Sequence, residues 1–275
     1  MADGTGKRVA QWAVLAGLIV LAAAAWLGRE HLRLWWRYQP LGRSAQGYPE
    51  YRHRLTGIVF VRVPGGKFLM GSPPDEEGRR GDERQHEVAL SPFLIAKHEV
   101  TQDDWRKVMD TDPSRLKGGD LPVQGVTWEE CQDFCSRTGL EMPTEAQWEY
   151  ACRAGTAGPF AGTVLLNEVG WYREQSGMKV HPIGQKRPNG FGLHDMHGNV
   201  GEWCEDIHDA HFYSTPEAAG PDPVCRSGPA NQASGMRVVR GGSWTDEEEH
   251  CRAAARYTVG PRADDVGFRP AASCP

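Results

Sequence analysis

After residue 156 this chain loses hydrophobic periodicity, and that limits its fold more than any other feature of the sequence. Neither the three-and-four spacing of an amphipathic helix nor the alternation of a half-buried strand persists there for more than a few residues. What remains is Gly-, Pro- and Trp-rich loop with short strands such as Arg237–Arg240. The 275 residues include 33 Gly, 19 Pro and 10 Trp. Such a chain is expected to form a loop-rich domain whose core is plugged by aromatic side chains rather than by long helices. Hydrophobic residues make up 39% and charged residues 24%, the balance of a globular chain and not a disordered one.

Regular structure is concentrated ahead of that point. Residues 58–63 are apolar and β-branched, Pro64-Gly65-Gly66 reads as a turn, and residues 67–70, 87–90 and 93–95 as further short strands. Residues 73–85 form a charged, solvated loop. Three helices carry start signals. Thr101 caps one running to about Met109, with Asp103 and Asp104 at its positive end. Thr127 and Glu130 form a capping box for a second that closes at Gly139, with Cys131, Phe134 and Cys135 on one face. Thr144 and Gln147 form another box for a third, which carries Trp148 and Cys152. The class is α+β with little regular secondary structure.

Residues 10–28 are an uncharged run preceded by Lys7 and Arg8. Nineteen helical residues rise about 28 Å, close to the roughly 30 Å hydrocarbon core of a bilayer. The run reads as one transmembrane helix behind a short tail at 1–9. Trp35, Trp36 and Tyr38 follow among arginines as an interfacial belt. A cleaved signal ending near Ala23-Ala24-Ala25 is the alternative. Residues 29–57, with Pro40, Gly42, Gly47, Pro49 and Gly57, read as a juxtamembrane linker, and 58–275 as the domain. The expected location is a single-pass membrane protein with the domain extracytoplasmic, where a cysteine-containing, loop-rich fold suits an oxidising compartment. Seven cysteines occur with no CxxC, so neither a zinc ribbon nor a thioredoxin-type site is indicated. A net charge of −5 without a basic patch argues against a nucleic-acid partner.

Seven motifs stand in order along the chain: VPGGKFLMGS, HEVTQDDW, PVQGVTWEECQDFC, MPTEAQWEYACRAGT, HPIGQKRPNGFGLHDMHGNVGEW, RVVRGGSW and VGFRPA. From about residue 59 to 271 they resemble the formylglycine-generating-enzyme family, also called sulfatase-modifying factors. That resemblance implies a variant of the C-type-lectin-like fold. The family is functionally mixed, holding copper- and dioxygen-dependent oxidases, iron-dependent sulfoxide synthases and domains that only bind, so it indicates fold better than function. The iron-ligating helical domain of the sulfoxide synthases has no counterpart in this sequence.

Asp195 and Glu202 are joined by a glycine-containing loop and can face inward with carbonyls between them, the all-oxygen shell that calcium prefers. The resemblance implies a calcium site of Asp195, Glu202 and the carbonyls of Gly198 and Val200. Asn167 resembles a ligand of a second site. The alternative is that Asp195 and Glu202 cap turns while Asn199 hydrogen-bonds the loop. His194 and His197 read as satisfied loop histidines. Copper(I) needs two soft thiolates, which active members place five residues apart after RGGS. Counted forward from Ser243, Cys251 falls on the second position and Asp246 on the first. Counted back from Arg256, neither cysteine matches. Cys251 is otherwise a buried thiol or a disulfide partner of Cys152. Gly201 stands where active members carry tryptophan. Arg240, Ser243, Trp244, Asp246 and Arg256 are expected near the family's ligand-facing cleft, and Arg269 as a structural ion-pairing residue. Two functions follow as expectations: a binding or accessory module for a protein or peptide, or a divergent copper oxidase using Ser243 and Cys251.

Overall fold

A computed structural model describes residues 36–163, 165–228 and 236–274. The three capped segments become helices α1 (Gln102–Met109), α2 (Trp128–Thr138) and α3 (Glu145–Arg153), with a short α4 at Arg173–Ser176. Thr127 Oγ1 accepts from Glu130 N at 3.2 Å while Glu130 Oε2 accepts from Thr127 N at 2.8 Å. The Thr144–Gln147 box is equally complete, at 3.1 and 3.0 Å. Each box satisfies two of the N–H groups that a helix start leaves unpaired.

Most of the residues belong to one unit, Pro40–Cys274. Its first sheet has the order β1-β2-β3-β6-β13, from Tyr38–Arg43, Pro49–His53, Val59–Val63, Phe93–Ala96 and Ala271–Ser273. The last strand pairs antiparallel with β6, Ala271 opposite Ile95, so the end of the described chain closes the sheet begun by its start. The second sheet, β11-β10-β9-β12, uses Arg256–Tyr257, Arg237–Arg240, Gly201–Ile207 and Val266–Gly267. The pair β4 (Gly66–Met70) and β5 (His86–Leu90) forms a separate antiparallel ladder, and β7 (Gly170–Trp171) runs parallel to β8 (His197–Gly198).

Val61, Val63, Phe93, Ile95, Trp148 and Ala151 belong to one buried cluster. Trp105, Phe134 and Phe268 form another aromatic plug, with Trp105 and Phe134 stacked at 5.5 Å. The linker expected at 29–57 is revised: Pro49–His53 pairs with β3, Tyr51 opposite Phe60. Its side chains are mostly polar because the strand is held between β1 and β3 by backbone hydrogen bonds, which leave no apolar signature. The uncharged run at 10–28 lies outside the described residues, and among those described no helix is long and apolar enough to cross a membrane.

Candidate functional site

The site is organised by the turn after β10. Gly241 and Gly242 have φ of +92° and +69°, a region that side chains rarely enter. A Cβ on Gly241 would lie 3.1 Å from the Trp148 ring, and one on Gly242 2.6 Å from Cys251 Sγ. Two glycines are therefore needed for the chain to reverse between α3 and the segment at 248–251. The following loop is clamped by α4, where Arg173 Nε donates to Thr245 O at 2.7 Å and Ser176 Oγ to Trp244 O at 2.8 Å.

That clamp brings Ser243, Thr245 and Asp246 against Asp265. Ser243 Oγ lies 2.9 Å from Asp246 Oδ2, 2.7 Å from Asp265 Oδ2 and 2.9 Å from Thr245 Oγ1, and Thr245 Oγ1 lies 2.8 Å from Asp265 Oδ2. Two hydroxyl hydrogens must serve these four oxygen–oxygen contacts. A proton on Asp246 would supply a third, and burial together with the Asp265 charge does push the Asp246 carboxyl above its usual range. These donors are hard oxygens, a poor set for copper(I).

Outside the network lies a cavity of about 500 Å³, lined by Arg115, Leu116, Gln124, Met178, Trp244, Thr245, Asp264 and Asp265. Gln124 is 1% exposed, yet its Oε1 has no hydrogen-bond partner among the described residues, and neither does Trp244 Nε1. Buried polar atoms are almost always paired, so two unpaired ones in the lining of one cavity mark it as a place for a ligand.

Cys251 is not part of that lining. It is fully buried beside Phe160, Leu166, Val169 and Tyr172. Burial, then the charges of Asp246 and Glu248, push its thiol well above the usual range. All the cysteines are free thiols, Cys152 included. His197 pins this corner: its Nδ1 faces Cys251 O at 2.8 Å, and its Nε2 accepts from Ala161 N at 3.0 Å. Because the carbonyl can only accept, the ring carries its proton on Nδ1. Burial lowers its pKa to about 4.

Above Gly201, a Cβ would lie 2.5 Å from Tyr257 Oη and 2.9 Å from Val239 Cγ1. Tyr257 thus fills the volume that a tryptophan at 201 would need. Arg240 and Arg256 are revised from cleft residues to core residues. Arg240 is ion-paired to Glu149 and donates to the carbonyls of Ala253, Ala254 and Ala255. Arg256 is bidentate on Glu145, at 2.8 and 2.7 Å.

Asp195 and Glu202 do converge, and Glu99 joins them. Arg269 is bidentate on Glu202, at 2.7 and 2.6 Å, and Trp148 Nε1 donates to the same carboxylate at 2.6 Å. Asp195 Oδ2 accepts from Gly184 N at 2.6 Å, but its buried Oδ1 has no partner. Glu99 accepts from Asn199 Nδ2 at 3.1 Å and Val200 N at 3.3 Å. Burial, then the charges of Asp195 and Glu202, push Glu99 well above its usual range, and burial pushes Asp195 to about 6. Three carboxylates face one guanidinium. Asp195 and Asn199 hold φ of +57° and +63°, and backbone strain of this kind collects at ligand sites. Asn167 is exposed, with its carbonyl taken by Lys186 Nζ at 2.6 Å. Among the described residues no group of three or more His, Cys, Asp or Glu is placed to hold a metal ion. A shell completed by carbonyls is a different donor set.

Sequence reasoning missed Glu99, Gln124, Tyr257 and Asp265. All but Tyr257 lie inside or beside a quoted motif, but no spacing in the sequence links them.

Residues 46–274 match the family described as the sulfatase-modifying factor enzyme 1-like domain. The formylglycine-generating enzyme of Streptomyces coelicolor is 34% identical over 298 residues, covering 82% of this chain and 92% of that one. The serine/threonine-protein kinase pkn1 of Chlamydia caviae is 31% identical over 246 residues, and the chain spans only 38% of its length. Among solved structures, Treponema denticola variable protein 1 superposes with a TM-score of 0.67 at 27% identity, covering 81% of this chain and 98% of that one.

Proposed function

The chain belongs to the sulfatase-modifying-factor family, and on that premise we propose that it is a binding or accessory module whose cleft takes a protein or peptide ligand. The observation that carries this reading is the sharing of the Ser243 hydroxyl by the carboxylates of Asp246 and Asp265. On the count forward from Ser243, an oxygen network stands where the resemblance calls for a thiolate, while Cys251 is sealed into an apolar pocket. Copper(I) does not fit this donor set. Similarity to the Streptomyces coelicolor formylglycine-generating enzyme over most of its length favours the second reading, a divergent copper oxidase.

Calcium fits better. Three carboxyl groups share one guanidinium, burial and mutual repulsion favour the protonated form of Glu99 when no further cation is present, and Asp195 Oδ1 is unpaired. Asp195 would hold the ion with the carbonyls of Gly198 and Val200, and Glu99 and Glu202 would supply charge. The ion would neutralise the cluster and stiffen the loop that leads into β9. The uncharged run at 10–28 supports a single-pass anchor, with the domain on the extracytoplasmic side.

The test is an anaerobic copper(I) titration of the full-length chain, followed by copper, dioxygen and a Cys-x-Pro-x-Arg peptide, the pattern that the family's oxidases recognise. No tight stoichiometric copper and no hydrazide-reactive carbonyl on the peptide are expected. Stoichiometric copper that disappears in Cys251→Ala, or aldehyde formed by the wild-type chain, would establish the oxidase instead.

A further inference from the structure

The cavity beside Ser243 carries a charge pattern that narrows its ligand. Its lining has Asp264 and Asp265 against Arg115, with Asp246 one hydroxyl behind Asp265. The hydrogen bonds recorded for the Asp265 side chain all fall on Oδ2. Neither Asp264 nor Arg115 has an ion pair among the described residues. The balance is negative, and the acceptor Gln124 Oε1 is unpaired within the lining. Cationic nitrogen with several N–H groups matches such a set, since hydrogen bonds between charged partners are the strong ones.

The rim is apolar. Leu116 and Met178 both line the cavity and are 43% and 58% exposed. Trp244 stands beside them, and an aliphatic stem can lie along such a wall while its charged head reaches the carboxylates. A free amine would fill the acidic end and leave the rim wet, whereas a side chain carried on a partner would cover both. About 500 Å³ falls within the roughly 300–1,000 Å³ of ordinary ligand pockets.

We propose that this cavity receives a lysine or arginine side chain of a protein partner, its head at Asp264 and Asp265 and its stem along Trp244, Leu116 and Met178. The proposal rests on the binding-module reading and names the partner's chemistry.

The experiment uses the full-length chain and capped, fluorescein-labelled pentapeptides Gly-Leu-X-Leu-Gly, where X is lysine, norleucine or glutamate, followed by anisotropy. The lysine peptide is expected to bind at least about tenfold more tightly than the norleucine peptide, the effect of one charge-assisted hydrogen bond. The glutamate peptide should be weakest. Asp264→Asn, at an exposed position where folding is safe, should cut the lysine preference several-fold, and Asp264→Glu should restore it. Arg115→Ala should leave lysine binding equal or tighter. Equal affinity for lysine and norleucine overturns the proposal, as does a lysine preference that survives Asp264→Asn. A glutamate preference that vanishes in Arg115→Ala overturns it while leaving the binding module standing. Displacement of the labelled peptide by N-acetyl-lysine amide at the peptide's own affinity overturns the protein-partner assignment. Failure of the binding-module reading shows separately, as copper uptake and aldehyde.

Discussion

The buried arginine layer and the cleft beside Ser243 use the same residue types to opposite ends. Arg240, Arg256 and Arg269 are almost fully buried, yet each faces a carboxylate and further acceptors: Glu149 and three carbonyls, Glu145, and Glu202 with the carbonyl of His194. In the cleft, two carboxylates share one serine hydroxyl, and Gln124 and Trp244 each carry an unpaired polar atom. Each guanidinium of the first region has its counter-charge in place, with Arg240 Nε as an unpaired nitrogen, whereas the carboxylates of the second have no cation facing them in an ion pair among the described residues. Buried charge in this protein therefore marks structure where it is matched and marks a site where it is left unmatched.

The sharpest way to break the comparison is to unmatch the layer. Arg269→Met should strand Glu202 in a dry core and cost about 3–5 kcal/mol, the usual penalty for removing one partner of a buried pair. Urea unfolding measures this, and adding Glu202→Gln should recover much of the loss. A cost below about 1 kcal/mol would show that the layer is not held by its pairs.

The carboxylate cluster sits between the two regions, since Arg269 matches Glu202 but not Asp195 and Glu99. Calcium at a hundredfold excess over its dissociation constant should stabilise the chain by about 2.7 kcal/mol. Asp195→Asn should remove most of that gain. Identical melting in chelator and in saturating calcium would end the calcium reading.

The smallest effect belongs to the cleft. Burial and Asp265 raise the Asp246 carboxyl above the 3.8 of a free aspartate, so ionising it costs the folded state more than the unfolded one. Stability is therefore lost as pH rises through the folded value and is not lost below 3.8, where both states are protonated. Asp246→Asn should gain less than about 1 kcal/mol near pH 8, a modest figure because the group is partly solvated, and nothing near pH 3.5. A loss of stability near pH 8 would mean that the carboxylate is matched after all, and the contrast between the two regions would fail.

Much of the frame was legible in the residues. Thr101, Thr127 and Thr144 marked three helix starts that the structure places at the same residues. The strands at 58–63, 67–70, 87–90 and 93–95 appear within one or two residues of their expected bounds. These signals are local, carried by a cap and its partner three residues on or by a short apolar run. The strand at Pro49–His53 was not legible, because pairing through the backbone leaves polar side chains free to look like a linker. Arg240 and Arg256 were misplaced for a related reason. An arginine reads as exposed until the carboxylates that bury it are known, and Glu149 lies 91 positions from Arg240 and Glu145 lies 111 from Arg256.

By itself the sequence determined the family, the capped helices and the loop-rich class, since each is written in residue identity or short spacing. Only the tertiary structure decided that Tyr257 fills the space above Gly201, that Glu99 joins Asp195 and Glu202, and that Gln124, Trp244 and Asp265 line one cavity with Arg115. Most of those residues meet across separations of tens to more than a hundred positions. Their chemistry depends on which charges face one another once water is excluded, and no local pattern encodes that.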